Sequence, residues 1–253
     1  LRYAFPIAET GFDPAQVIDL YSRIITSHIF DALYHYDHLA RPFKIKPNTA
    51  AAMPEVSADF RTWTVRLRPG IYFQNDPAFK GQQRELIAAD YVYSLKRHFD
   101  PRWKSPAYAT LSEHKLLGLD ELRNAVLKAR QPFDYEREVE GLRVLDRYTL
   151  QLRSREPQPR LVQTLAGGDL YGAVAREVVE AYGDDIMAHP VGSGPFRLAE
   201  WRRSSRIVFE RNPTYREHVY DAEPNADDVE GQALAAKFRG RRLPMIDRVE
   251  ISI

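Results

Sequence analysis

The stretch "HPVGSGPFRLAEWRRSSRIVFERNPTYRE", His189 to Glu217, opens with a Gly-Ser-Gly of the kind that cradles phosphate. A phosphate loop needs a strand before it, a Lys-Ser or Lys-Thr ending, and a helix whose first amides face the anion. Here Pro195 follows the second glycine and no lysine occurs between His189 and Glu217. The continuation, Phe196 to Trp201 and then Arg206 to Glu210, is aromatic and branched around a short polar break. That pattern predicts a hairpin, with the glycines permitting a tight backbone passage into its first strand.

Three other groups have side chains suited to chemistry. His35 and His38 in "HYDH", with Asp37, are metal-ligand types, but they lack the His-Glu-x-x-His spacing of zinc hydrolases. The plainer reading is a polar helix end; a metal-dependent hydrolase built on them would purify with stoichiometric zinc. Asp184 and Asp185 are adjacent on one loop, whereas paired catalytic carboxylates flank a substrate, so they read as a solvated helix end. Arg202, Arg203, Arg206 and Arg211, with Trp201 and Phe209, combine cations with stacking surfaces as nucleic-acid binders do. Glu200 and Glu210 dilute them, and a solvated turn fits better. There is no G-x-S-x-G elbow and no cysteine, which excludes thiol catalysis, zinc ribbons and disulfide frameworks. No catalytic group and no cofactor is expected. The 14 tyrosines and 3 tryptophans suit a cleft that grips a ligand.

The elements that position these residues come from an ordinary globular composition, 44% hydrophobic and 28% charged in 253 residues, with room for two cores. The 36 Lys and Arg nearly balance 35 Asp and Glu, so no global field favours a polyanion, and nucleic acid is not an expected partner. No apolar stretch approaches the roughly 18–20 residues that cross a bilayer, and "LRYAFPIAET" lacks the pattern of a signal peptide.

"LRYAF" reads as a strand. Leu20, Ile24, Ile25, His28, Ile29, Ala32 and Leu33 recur at helical spacing, predicting a helix from about Gln16 to Tyr34. "TWTVRLRPG" alternates as a strand, with Trp63, Val65 and Leu67 on one face, and "YTLQLR" does the same with Tyr148, Leu150 and Leu152. "AADYVYSLKRHFDP" predicts a helix with Tyr91, Val92, Leu95 and Phe99 inward, ending at Asp100-Pro101. Residues 120–131 read as a charged, exposed helix and "AVAREVVEAYG" as a helix closed by Gly183. "YDAEPNADDVEGQALAAKFRGRR" reads as a surface excursion and "MIDRVEISI" as a final strand. Strands and helices interleave, so the class is α/β or mixed α+β.

Taken in order, these segments resemble the periplasmic solute-binding proteins of ABC importers, the extracellular family 5 that includes dipeptide- and oligopeptide-binding proteins. "FDPA" with "IFDALYHYD" carries the opening of the resemblance. "MPEVSADFRTWTVRLRPGIYF" with "AADYVYSLKRHFDP" carries its centre. "VAREVVEAYG", "PVGSGPFRLAEW" with "IVFERNPTYRE", and "LPMIDRVEISI" follow. The resemblance spans nearly the whole chain.

It implies a periplasmic-binding-protein-like class II lobe, residues 1–43 plus 154–253, carrying a smaller inserted lobe, residues 44–153. Members are much longer, so a further lobe forming the second wall of the cleft is expected to be missing from this chain, which alone should bind weakly. The implied function is a non-catalytic receptor that closes on a small solute, an oligopeptide among the candidates, and presents it to the membrane permease of an ABC importer. The implied location is periplasmic, with the signal peptide absent from this chain. An alternative is a sensory or regulatory module on the same fold. In peptide-binding relatives the backbone after "FDP" pairs with the ligand as an added strand; that falls on Val17, Ile18 and Asp19, and moves the expected helix start to near Leu20. Tyr108 in "SPAYATL" matches a position near the cleft, and Trp103 is added from its nearness in sequence. Two insertions depart from the family: "FQNDPAFKGQQREL" and the excursion after Tyr220. A third departure is Ile87, which replaces a capping Thr at the start of the helix from Ala88.

Overall fold

The computed structural model describes residues 1–253. In chain order the elements are β1 (Arg2–Ala4), α1 (Leu20–Ile29), β2 (Tyr34–Asp37), β3 (Lys44–Pro47), β4 (Glu55–Val56), β5 (Thr62–Arg66), α2 (Ala88–Phe99), α3 (Tyr108–Glu113) and α4 (Leu119–Ala129). There follow β6 (Leu142–Asp146), β7 (Thr149–Arg153), α5 (Leu161–Thr164), α6 (Gly168–Tyr171), α7 (Arg176–Tyr182), β8 (Phe196–Arg202), β9 (Arg206–Arg211), α8 (Val229–Phe238) and β10 (Arg248–Ser252).

Two four-stranded sheets organise the mixed α/β fold. The first has the order β1-β10-β9-β8, with β1 parallel to β10 and the other pairs antiparallel. Ile207, Val208 and Phe209 of β9 are buried, and Ile25 and Ile29 of α1 are fully buried nearby. The second sheet has the order β4-β5-β7-β6. On it Trp63 and Val65 lie opposite Leu152 and Leu150, all four buried, as the alternation predicts. Helix α2 packs on this sheet against β6 and β7, and the apolar core runs without a break from Phe12 and Ile29 through Tyr34 and Tyr91 to Leu150.

The Gly-Ser-Gly passage is a contact, not a cradle. A Cβ on Gly192 would come 2.0 Å, and one on Gly194 2.6 Å, from the carbonyl oxygen of Ile29. The Gly194 amide donates to that same carbonyl at 2.8 Å, capping the C-terminal end of α1. The predicted hairpin β8–β9 follows directly.

Other expectations need correction. The helix whose periodicity runs from Gln16 to Tyr34 begins at Leu20, where the family resemblance moves its start, because the Asp19 carboxylate accepts from the Ser22 amide at 2.8 Å and caps it there. It ends at Ile29 because Phe30 turns extended (φ −106°) and Tyr34–Asp37 pair with Lys44–Pro47 as a hairpin. Leu20, placed on the buried face, is 64% exposed. His35 and His38 therefore lie on and just after a strand rather than at a helix end. The excursion holds a helix of its own, α8, capped by Asp228 onto the Gly231 amide at 2.8 Å.

Candidate ligand-binding site

The segment from Phe12 to Asp19 is held from below. Asp13 and Arg97 are both essentially inaccessible and meet in a two-armed ion pair, 2.6 and 2.9 Å. Burial by itself pushes the Asp13 carboxyl up; the Arg97 charge and the Gln16 hydrogen bond outweigh it and hold it below the usual carboxylate range. Asp13 also turns the chain, its carbonyl accepting from the amides of Gln16 and Val17. Behind it, the Arg97 guanidinium lies 4.3 Å over the Trp103 ring. Trp103 donates from Nε1 to the Tyr135 hydroxyl, and Tyr135 donates to Asp100, at 2.9 and 2.7 Å.

On this base Val17, Ile18 and Asp19 lead from the Asp13 turn into α1, in neither helix nor strand. Val17 is fully buried, while Ile18 is 69% exposed. The Ile18 amide and the carbonyls of Val17 and Ile18 have no hydrogen-bond partner within the chain. Asp19 sits at φ −78°, ψ 152°. Its carboxylate is occupied by the helix cap and by the Thr10 hydroxyl at 2.6 Å. Partial burial pushes its carboxyl up, but those hydrogen bonds prevail and it lies low. What this segment offers a partner is backbone, not charge.

The structure brings Trp103 to this site only as a buried support, 6% exposed beneath Arg97. Tyr108 is half-buried on α3; its ring meets Phe99 edge-on at 5.6 Å and its hydroxyl donates to Asp120 at 2.8 Å. The connection between the two sheets is a second polar centre. Asp31 accepts from Arg216 at 2.6 Å, Ser193 at 2.9 Å and Asn48 at 3.1 Å, while its carbonyl accepts from Tyr91 at 2.8 Å. Sequence reasoning missed Arg97, Asp31 and Arg216, since single charges among polar neighbours carry no periodic signal.

The remaining candidates resolve as structural. His38 shares a hydrogen bond with the Tyr220 hydroxyl at 2.9 Å, while the His35 ring lies 6.0 Å from that of His218, and no three His, Asp or Glu side chains converge as a metal site. Asp184 is exposed and pairs with Arg102. In the arginine hairpin, Arg202 and Arg206 pair with Glu200, and Arg211 with Asp247. A hollow of about 740 Å³ lies elsewhere, between α2, β6 and α7. Many of its charges are spent on one another: Arg84 bridges Asp90 and Glu177 at 2.7 and 2.8 Å, and burial pushes the Asp90 carboxyl up to about 6. No helix is long and apolar enough to cross a membrane.

Comparison with known proteins gives one family. The model for bacterial extracellular solute-binding proteins, family 5 Middle, matches residues 44–253. Di/tripeptide-binding protein 2 of Pseudomonas aeruginosa is 28% identical over 82% of this chain and 37% of its own length. The periplasmic oligopeptide-binding protein OppA of Salmonella typhimurium is 25% identical over 81% of this chain and 34% of its own. Among solved structures, Haemophilus influenzae OppA in complex with the peptide RPPGFSPFR superposes with a TM-score of 0.71 at 21% identity, over 99% of this chain and 41% of that one. The chain thus spans about a third of the length of the curated relatives it matches.

Proposed function

This chain belongs to the bacterial extracellular solute-binding proteins of family 5, and from that premise we propose that it is the peptide-gripping wall of a non-catalytic receptor. The observation that carries the proposal is the Val17–Asp19 segment, with backbone groups left unpaired over a buried Asp13–Arg97 anchor. An extended peptide adds to such an edge as a strand: main-chain hydrogen bonds supply affinity without regard to side chains. The similar proteins named for binding di-, tri- and oligopeptides favour the same ligand class.

In this reading residues 1–43 with 154–253 form one lobe and residues 44–153 an inserted one. The facing wall comes from the part of the family's length that this chain does not span. Ligand stabilises the closed state by touching both walls, outside the cytoplasmic membrane, and the closed receptor is offered to an ABC importer's permease. Tyr108 lies at the rim of the cleft; Trp103 acts on the ligand only through Arg97.

Peptide binding by the full-length protein, followed by calorimetry, tests the backbone role. Ile18→Pro removes the amide donor and should weaken binding at least about tenfold, the worth of one good hydrogen bond. Ile18→Ala keeps the donor and should bind within about twofold of the parent. Equal affinity for parent and Ile18→Pro would remove Val17–Asp19 from the site.

A further inference from the structure

The excursion that departs from the family ends in a turn of unusual charge. Lys237–Arg242, six residues, carry four cations and no acid in a chain whose net charge is +1. Lys237, Arg239, Arg241 and Arg242 are all exposed, and none lies within ion-pair distance of a carboxylate. In the β8–β9 hairpin, by contrast, Arg202, Arg206 and Arg211 each have an acid and Arg203 alone has none. A helix C-terminus favours cations within its last turn, which accounts for Lys237 and Arg239 but not for Arg241 and Arg242, which lie beyond α8.

The turn is also rigidly presented. Gly240, at φ +74°, lets the chain reverse. The Gly240 amide donates to the Tyr220 carbonyl and the Tyr220 amide to the Arg241 carbonyl, at 2.9 and 2.8 Å; the Leu243 amide donates to His218 at 2.7 Å. At the centre sits the Phe238 ring, with Lys237 Nζ at 5.2 Å and the Arg241 guanidinium at 5.5 Å from its centroid. Val229 and Leu234 of the same helix are 82% and 38% exposed.

We propose that this turn docks the protein on an anionic phospholipid surface. A protein partner would need roughly 800 Å² of complementary surface on each side, and a single convex turn provides no such area. A sheet of anionic head groups asks only for several cations within a Debye length. The inference rests on the turn alone and is independent of the ligand reading above.

Co-sedimentation with vesicles tests it, using phosphatidylcholine alone and phosphatidylcholine mixed with phosphatidylglycerol. The protein should pellet with the anionic vesicles only and be released by high salt. Each cation near such a surface strengthens binding about fivefold, so Lys237→Gln/Arg239→Gln/Arg241→Gln/Arg242→Gln should weaken it at least about thirtyfold. The matched variant Lys104→Gln/Lys115→Gln/Lys128→Gln/Arg130→Gln removes the same charge elsewhere and should stay within about threefold of the parent. Equal loss in both variants would reduce the effect to net charge and overturn the proposal. So would pelleting with neutral vesicles, or no pelleting with anionic ones at low salt. Binding of soluble polyglutamate without vesicle binding would replace the lipid surface with an acidic protein.

Discussion

Helix α2 is buried on two sides by opposite means. Toward the second sheet it presents Val92, Leu95 and Phe99, which bury hydrocarbon. Around the rest of its surface it presents Asp90, Tyr91, Ser94, Arg97 and His98, five polar residues at helical spacing and all buried. Each has a partner elsewhere in the chain. Asp90 meets Arg84, which also holds Glu177; Tyr91 donates to the Asp31 carbonyl; Ser94 accepts from the Val174 amide; Arg97 pairs with Asp13; and His98 meets the Leu170 carbonyl. Apolar packing tolerates small slips, whereas directed hydrogen bonds and ion pairs accept one geometry. The apolar face holds the helix in place; the polar face fixes α2 against the segments that carry Asp13, Asp31, Leu170 and Val174, and through Asp13 it fixes the Val17–Asp19 edge.

The comparison breaks most readily at Arg97. Removing one member of a buried pair strands the other charge, which costs about 3–5 kcal/mol. Arg97→Met should therefore lower urea-unfolding stability by about 4 kcal/mol. It should also weaken ligand binding, since Asp13 shapes the loop below Ile18. Asp13→Asn combined with Arg97→Met leaves no buried charge and should recover about half the loss or more. A loss below about 1 kcal/mol for the single variant would mean that the polar face contributes no more than a surface pair.

His98 sharpens the comparison through pH. A carbonyl only accepts, so Nε2 carries the proton toward Leu170 and Nδ1 accepts from the Ser105 hydroxyl at 2.7 Å. Burial, aided by the Arg97 charge, lowers the imidazole from 6.5 to about 4. Between those values the unfolded chain binds the extra proton and the folded chain does not. The stability tied to neutral His98 is thus complete above about pH 6.5 and lost as the pH falls toward 4, about 3 kcal/mol in all. Asp90 titrates in the same window with the opposite sign, because its raised carboxyl takes up a proton in the folded state first. The useful measurement is therefore the difference between the parent and His98→Asn in urea unfolding at several pH values. The variant should lose less stability on acidification, by about 3 kcal/mol. Parallel curves would show that His98 is protonated without cost.

The two faces also explain what was legible in the sequence. Val92, Leu95 and Phe99 could be placed because burying hydrocarbon leaves a 3.6-residue period, and Tyr91 reads with them although its hydroxyl belongs to the polar face. The β5 and β7 strands could be placed because alternation does the same at period two. The polar face leaves an equally regular spacing, but Asp90, Ser94, Arg97 and His98 look like any solvated stripe until their partners, far away in sequence, are known. The overlong helix from Gln16 failed for a related reason: Ala32, Leu33 and Tyr34 are as apolar as a helix face, and only the pairing of Tyr34–Asp37 with Lys44–Pro47 shows them leaving it. At the candidate site the family resemblance alone pointed to Val17, Ile18 and Asp19. Their support on Arg97 and Trp103 was not legible.

The smallest expected effect separates tertiary fixing of α2 from its local start. Ile87 occupies the N-cap position in an extended conformation, φ −130° and ψ 168°, with no side-chain oxygen to accept from the first turn. One half of a capping arrangement survives, because the Asp90 carboxylate accepts from the Ile87 amide at 2.8 Å. Ile87→Thr keeps the branched shape and adds the missing acceptor, so it should raise stability by about 1 kcal/mol, seen as a higher urea midpoint at unchanged slope. Helix propensity is unaffected, since the N-cap lies outside the helix proper. If the two buried faces already hold the first turn as firmly as a cap would, through Arg84 on Asp90 and the apolar packing of Ala88, the gain falls to a few tenths of a kcal/mol. A full gain means the start of α2 is held locally and frays on its own; a negligible one means both faces reach to its first residue.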